Sequence, residues 1–139
     1  MKVLFIGGTG NISGAVSRLA AKRGVELFHF NRGTTKNKIP GVTTITGDIS
    51  APETLARELA KHSWDSVVNW IAFTPGDIER DLALFQGKTR QYIFISSASV
   101  YQSPPSHPVI TESTPLYNPF WEYARNKIAC EERLNQAYR

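Results

Sequence analysis

Val3-Leu4-Phe5-Ile6 running straight into Gly7-Gly8-Thr9-Gly10-Asn11-Ile12-Ser13 decides the fold. A continuous apolar run closed by glycines suits a strand buried on both faces. A helix is predicted from about residue 12 to 23, with Ile12, Val16, Leu19 and Ala20 as its apolar stripe and Gly24 as its stop. Between strand and helix stands Gly8-x-Gly10-x-x-Ser13, the context in which a glycine-rich turn reads as a dinucleotide cradle. Glycine lets the backbone approach a pyrophosphate closely, and unpaired N–H groups at the helix start bind its oxygens. Ser13 occupies the place usually held by a third glycine or an alanine, and Gly14 beside it relieves the crowding. A tight turn with no ligand is the plain alternative.

Outward from this turn, strands and helices alternate. Residues 25–30, 42–46, 65–70 and 91–95 read as four further strands. Ser50 is expected to cap a helix beginning at Ala51-Pro52, with Glu53 complementing its dipole. Thr74-Pro75-Gly76 reads as a break, residues 77–85 as a helix, 103–119 as a long proline-rich loop, and 120–138 as a final amphipathic helix. Strands separated by helices imply right-handed crossovers, so the fold class is α/β, a doubly wound parallel sheet of Rossmann type.

Where strand two ends, a NAD-type fold usually offers a carboxylate to the adenosine ribose. The residues here are Asn31-Arg32-Gly33-Thr34-Thr35-Lys36. No acid is present, and Arg32, aided by Thr34 or Lys36, suits a 2′-phosphate, which tilts the cofactor reading from NAD towards NADP. Asp48 and Ile49, after strand three, are placed to flank an adenine, although an ordinary turn aspartate fits nearly as well.

Ser96-Ser97-Ala98-Ser99-Val100-Tyr101 lies just past strand five, at the carboxyl edge where parallel sheets place ligands. Tyr123 and Lys127 are i and i+4 on the last helix and share a face. A tyrosine phenol is a poor base at neutral pH, but a nearby ammonium favours the phenolate and makes proton transfer efficient. A serine hydroxyl can hold a substrate alcohol against that phenolate. Singly, a Tyr-x-x-x-Lys spacing on a helix is common and usually structural; behind a glycine-rich turn and a Ser-Ser-Ala-Ser-Val-Tyr segment it is specific.

These motifs together resemble the short-chain dehydrogenase/reductase superfamily, and within it the extended or atypical branch called the NAD-dependent epimerase/dehydratase family, over nearly the whole chain. The resemblance implies a catalytic set of Ser97, which orients substrate, Tyr123, the acid/base, and Lys127, its activator and ribose contact, with Ser99 a second hydroxyl. It implies that Gly7, Gly10 and the Asn11 and Ile12 amides hold the pyrophosphate, and that the segment containing Ile71 and Ala72 underlies the riboses. Its members commonly oxidise one carbon of a nucleotide-linked sugar so that epimerisation or dehydration can follow beside it. The resemblance also implies a homodimer surface on the helices at 77–85 and 120–138. Relatives usually continue well beyond the catalytic helix. The chain is therefore expected to be an NAD(P)-binding domain, residues 1–139, without the carboxyl-terminal substrate domain, inactive by itself and with an open sheet edge near strand five. A cofactor-binding sensor or interaction module without turnover is the rival reading; intact Ser97, Tyr123 and Lys127 argue against it.

Composition narrows the classes. In 139 residues, 41% hydrophobic and 20% charged content is ordinary for one globular domain. A net charge of +4 spread along the chain reads as a solvated surface rather than a nucleic-acid face, and Trp64, Trp70 and Trp121 read as packing. His29, His62, His107 and the single Cys130 stand apart from one another, so no metal-ligand spacing is seen, and Cys130 reads as a buried inert thiol. Without a leader or membrane span in the sequence, the cytoplasm is the expected compartment.

Overall fold

The strand predicted before the glycines is β1, Lys2–Ile6, and it lies at the centre of a five-stranded, wholly parallel sheet. The computed structural model describes residues 1–34 and 38–138. Around β1 stand β2 (Glu26–Asn31), β3 (Val42–Thr46), β4 (Trp64–Asn69) and β5 (Thr89–Phe94), in the order β3-β2-β1-β4-β5. The helices are α1 (Asn11–Lys22), α2 (Pro52–Lys61), α3 (Pro75–Phe85) and α4 (Glu122–Tyr138). Strand order reverses at β1, which has β2 on one side and β4 on the other; this is the doubly wound topology the alternation predicts.

The chain divides into two compact units, Met1–Ile71 with Leu84–Ile95, and Ala72–Ala83 with Ser96–Arg139. The first holds the sheet. Alternation along β1 sends Leu4 and Ile6 to one face, where they join Phe28, Phe30 and Val67 with Leu55 and Leu59 of α2 and Leu84 and Phe85 of α3. Val3 and Phe5 go to the other face with Leu27 and Val68, and Ala20 of α1 packs there. β3 and β5 are the edge strands among the described residues, and β5, at the edge expected near strand five, is only partly buried. The second unit holds α4, the first part of α3, a 3-10 turn at Ala98–Val100 and the proline-containing loop. That loop is tied by a bridge between Tyr101 and Leu116.

Three local expectations are corrected. The buried face of α1 is Ser13, Gly14 and Ser17, while Ile12 and Leu19 are 72% and 50% exposed and Val16 is also open to solvent. Small side chains win that face because they let the helix lie close against β2, where His29 fills the space. The break after β4 stands, but the helix predicted from residue 77 starts at Pro75, where proline loses no helical hydrogen bond. Thr74 and Asp77 exchange hydrogen bonds there in the manner of a capping box. Ser50 does not cap α2; Ala51 holds that position, and the Ser50 amide donates instead to Asp48 Oδ1 at 2.8 Å.

The reversed face of α1 makes a paired prediction for urea unfolding. Leu19→Gln leaves stability within about 0.5 kcal/mol. Ser17→Leu costs more than about 2 kcal/mol through overpacking and lost hydrogen bonds.

Candidate functional site

In the first unit, the register brings the ends of β1, β2 and β4 level: Ile6 pairs with Phe30 on one side and Asn69 on the other. The Gly7 amide then donates to Phe30 O at 3.0 Å, and Asn69 Oδ1 accepts from the Ile71 amide at 2.8 Å. Gly7 and Gly8 have φ of +79° and +143°. A Cβ on Gly8 would lie 2.7 Å from the His29 ring, and one on Gly7 would lie 2.9 Å from Ile71 Cγ2, so both positions require glycine. Ser13 Oγ accepts from the Gly10 amide at 2.9 Å and closes the turn.

A buried polar knot lies beneath. Ser17 Oγ is 2.7 Å from Ser13 O, 3.2 Å from Gly8 O and 2.8 Å from His29 Nε2. Two of these partners are carbonyls and can only accept, so the single hydroxyl proton goes to them, and His29 must donate from Nε2. Burial lowers the His29 pKa from its ordinary 6.5, which keeps the ring neutral. Sequence reading missed this pair, since a serine inside a helix and a histidine inside a strand carry no spacing signal.

The residues at the start of α1 fit a dinucleotide. Gly10 at the cap supplies no side-chain acceptor, and the first turn carries no acid, so no carboxylate competes for the amides of Asn11 and Ile12. Both side chains are exposed. At the end of β2, Asn31 Oδ1 accepts from the Gly33 amide at 2.9 Å. Arg32 and Asp48 are exposed. Asp48 is held below the usual carboxylate range first by its hydrogen bonds from Ser50, with Arg32 a lesser influence. Arg32 thus has a carboxylate as its charged neighbour. Ile49 packs against the core on the α2 face, and Lys36 lies outside the described residues.

In the second unit, Lys127 is 2% exposed, and its Nζ donates to Ala72 O at 2.7 Å. That nitrogen also lies 4.9 Å from the centre of the Phe73 ring and 5.7 Å from that of Tyr123. Burial lowers the lysine's pKa. The carbonyl it binds is fixed in turn, because Asp77 Oδ2 accepts from the Phe73 and Thr74 amides, both at 2.9 Å. Burial alone would raise Asp77, yet these bonds and Arg80 hold its pKa down. Tyr123 lies between Phe73 and Trp121, with ring centres 6.2 and 4.8 Å away. Trp121 is 54% exposed, so it is not the packing residue the sequence suggests.

Ser97 Oγ lies 2.8 Å from Ser99 Oγ and accepts from the Ser99 amide, which shapes the 3-10 turn that packs on α4. Ser96 bonds Glu131 of α4, and Asn118 Nδ2 donates to Ser99 O at 2.9 Å. The structure therefore brings Tyr123 and Lys127 together with Phe73 and Ala72, and Ser97 together with Ser99. Cys130, one turn beyond Lys127, is fully buried, and desolvation pushes its thiol up to about 11.

Residues 80–139 match the sequence model of the NAD dependent epimerase/dehydratase family, which bears out the resemblance read from the motifs. No curated protein sequence matches the chain. Solved structures share the fold across its length. The UDP-Glc/GlcNAc 4-epimerase from Campylobacter jejuni superposes with a TM-score of 0.83 at 22% identity, covering 98% of this chain and 48% of that one. The UDP-glucose 4-epimerase from Brucella ovis, in complex with NAD, gives 0.83 at 23% identity, covering 97% and 47%. The dTDP-glucose 4,6-dehydratase from Bacillus anthracis, also with NAD, gives 0.80 at 20% identity, covering 99% and 50%. The chain spans about half the length of the structures it matches.

Burial of neutral His29 makes stability depend on pH. The unfolded ring binds a proton near pH 6.5, while the folded ring stays neutral to lower pH. Unfolding therefore takes up a proton below about pH 6.5, and stability falls as pH drops through that window. Thermal midpoints recorded from neutral to mildly acidic pH decline more steeply for the natural chain than for His29→Gln.

Proposed function

We propose that the chain is the cofactor-binding part of an NAD(P)-dependent oxidoreductase-type epimerase/dehydratase acting on a nucleotide-linked sugar or a similar alcohol. The observation that carries this reading is the buried Lys127 held on Ala72 O beside Tyr123, with both the lysine and the tyrosine inside the stretch that matches the family. A purely structural lysine has no need of burial next to a tyrosine that is itself only partly covered. The relatives of like fold that carry NAD, among them enzymes acting on UDP-linked and dTDP-linked sugars, support the cofactor and substrate class.

In this reading the glycine turn and the amides of Asn11 and Ile12 hold the pyrophosphate. Asn31, Arg32, Asp48 and Ile49 serve the adenosine end, with NADP favoured over NAD by the lack of an acid after β2. When bound, the nicotinamide supplies a hydride acceptor and donor. Ser97 Oγ positions the substrate hydroxyl. Tyr123 takes the hydroxyl proton and later returns it, and Lys127 stabilises the phenolate and contacts the ribose. The substrate is a small molecule. No helix among the described residues is long and apolar enough to cross a membrane. A homodimer through α3 and α4, a cytoplasmic setting, and a substrate-binding domain outside this chain complete the reading.

Calorimetric titration of the chain with NAD⁺ and NADP⁺ tests it: at least one dinucleotide binds, and Gly10→Asp abolishes binding without unfolding the chain. Tyr123→Phe retains that binding, and in an enzyme that joins this chain to its substrate-binding domain it lowers the rate of nucleotide-sugar oxidation, followed by nicotinamide absorbance, by about 10²-fold or more. Failure of both dinucleotides to bind rejects the reading.

A further inference from the structure

The three tryptophans of the chain meet different fates. Trp64 is buried against Phe28, and Trp70 packs edge-on against Phe5. Trp121 stays exposed just before α4, with its ring centre 4.8 Å from that of Tyr123 and the planes tilted by 37°. Its backbone is firmly held. Trp121 O accepts from the Arg125 amide at 3.1 Å, and Arg125 Nη1 donates back to Pro119 O at 2.7 Å. Asn118 Oδ1 accepts from the Phe120 amide at 3.1 Å, while its Nδ2 donates to Ser99 O in the serine turn. Phe73 is exposed too, its ring centre 6.2 Å from that of Tyr123. Two open aromatic rings therefore border the phenol, the kind of lining that small-molecule sites use.

An alcohol that gives its proton to Tyr123 must lie against what borders that side chain. The face of an aromatic ring is the negative part of its quadrupole and attracts weakly positive C–H groups. A pyranose offers such groups, because its axial C–H bonds on one side point the same way; an acyclic alcohol has no such fixed face. In a nucleotide-linked sugar two phosphates hold the base away from the reacting ring, so the aromatic beside the phenol meets the sugar. We propose that Trp121 is a specificity-determining residue that stacks on the C–H face of the pyranose whose hydroxyl Tyr123 deprotonates. The inference rests on the proposed function and narrows its substrate from alcohols in general to ring sugars.

Saturation-transfer NMR tests the assignment on the chain loaded with NAD⁺ or NADP⁺, with UDP-glucose and UDP as probes. The method reads weak complexes, so it does not need the substrate-binding domain. On the natural chain, glucose protons of one ring face gain more saturation than those of the other. Trp121→Ala lowers that transfer about fivefold or more, the loss of one stacked ring, and Trp121→Phe keeps most of it. Trp121 is exposed, so both variants fold, as circular dichroism will show. Absence of transfer to the glucose ring, or transfer that survives Trp121→Ala, overturns the stacking role while sparing the dinucleotide reading. So does a Trp121→Ala chain that loses dinucleotide affinity, since the ring then serves the cofactor. A natural chain that binds neither dinucleotide overturns both.

Discussion

The sheet-bearing unit depends on how closely α1 can lie against β2. Ser13, Gly14 and Ser17 face inward, and the space a larger side chain would take is occupied by the ring of His29. That ring excludes any side chain from Gly8 and reaches Ser17, whose hydroxyl ties Gly8 O and Ser13 O. One hydrogen-bonded knot therefore fixes the turn's backbone, the helix start and the end of β2 together. Buried polar groups satisfied in this way specify a single geometry, where an apolar contact would tolerate sliding.

A parallel logic governs the second unit. Placing the Lys127 ammonium out of water has a cost that only good partners offset. Here they are a carbonyl at 2.7 Å and two aromatic faces. The carbonyl is dependable because Asp77 ties down the two amides that follow it, and Asp77 is itself paired with Arg80 at 2.8 Å. A side chain near the start of α3 thus sets the position of an atom on α4 through two intermediates.

Sequence reading recovered what periodicity and spacing encode. The strand–helix alternation gave the parallel sheet because each buried strand is a short apolar run bounded by turn residues, as in Val3–Ile6 and Val67-Val68. The shared face of Tyr123 and Lys127 followed from helical geometry. Less legible was anything decided by closeness rather than polarity. Ile12, Val16 and Leu19 look like the core stripe of α1, yet the helix turns its smallest residues inward, since contact distance outweighs side-chain hydrophobicity on that face. Trp121 was read as packing for its size and is half exposed. The helix predicted from residue 77 begins at Pro75, because a first helical turn accepts proline.

The position of Cys130 gives the second unit a built-in clock. Alkylating reagents attack the thiolate, and this sulfur is shielded from solvent while its thiol is pushed up to about 11 by desolvation. Chemical labelling must then wait for α4 to loosen, so its rate at fixed reagent concentration counts excursions of the helix that bears Tyr123 and Lys127. Any small molecule that grips that helix slows the count, whatever its identity.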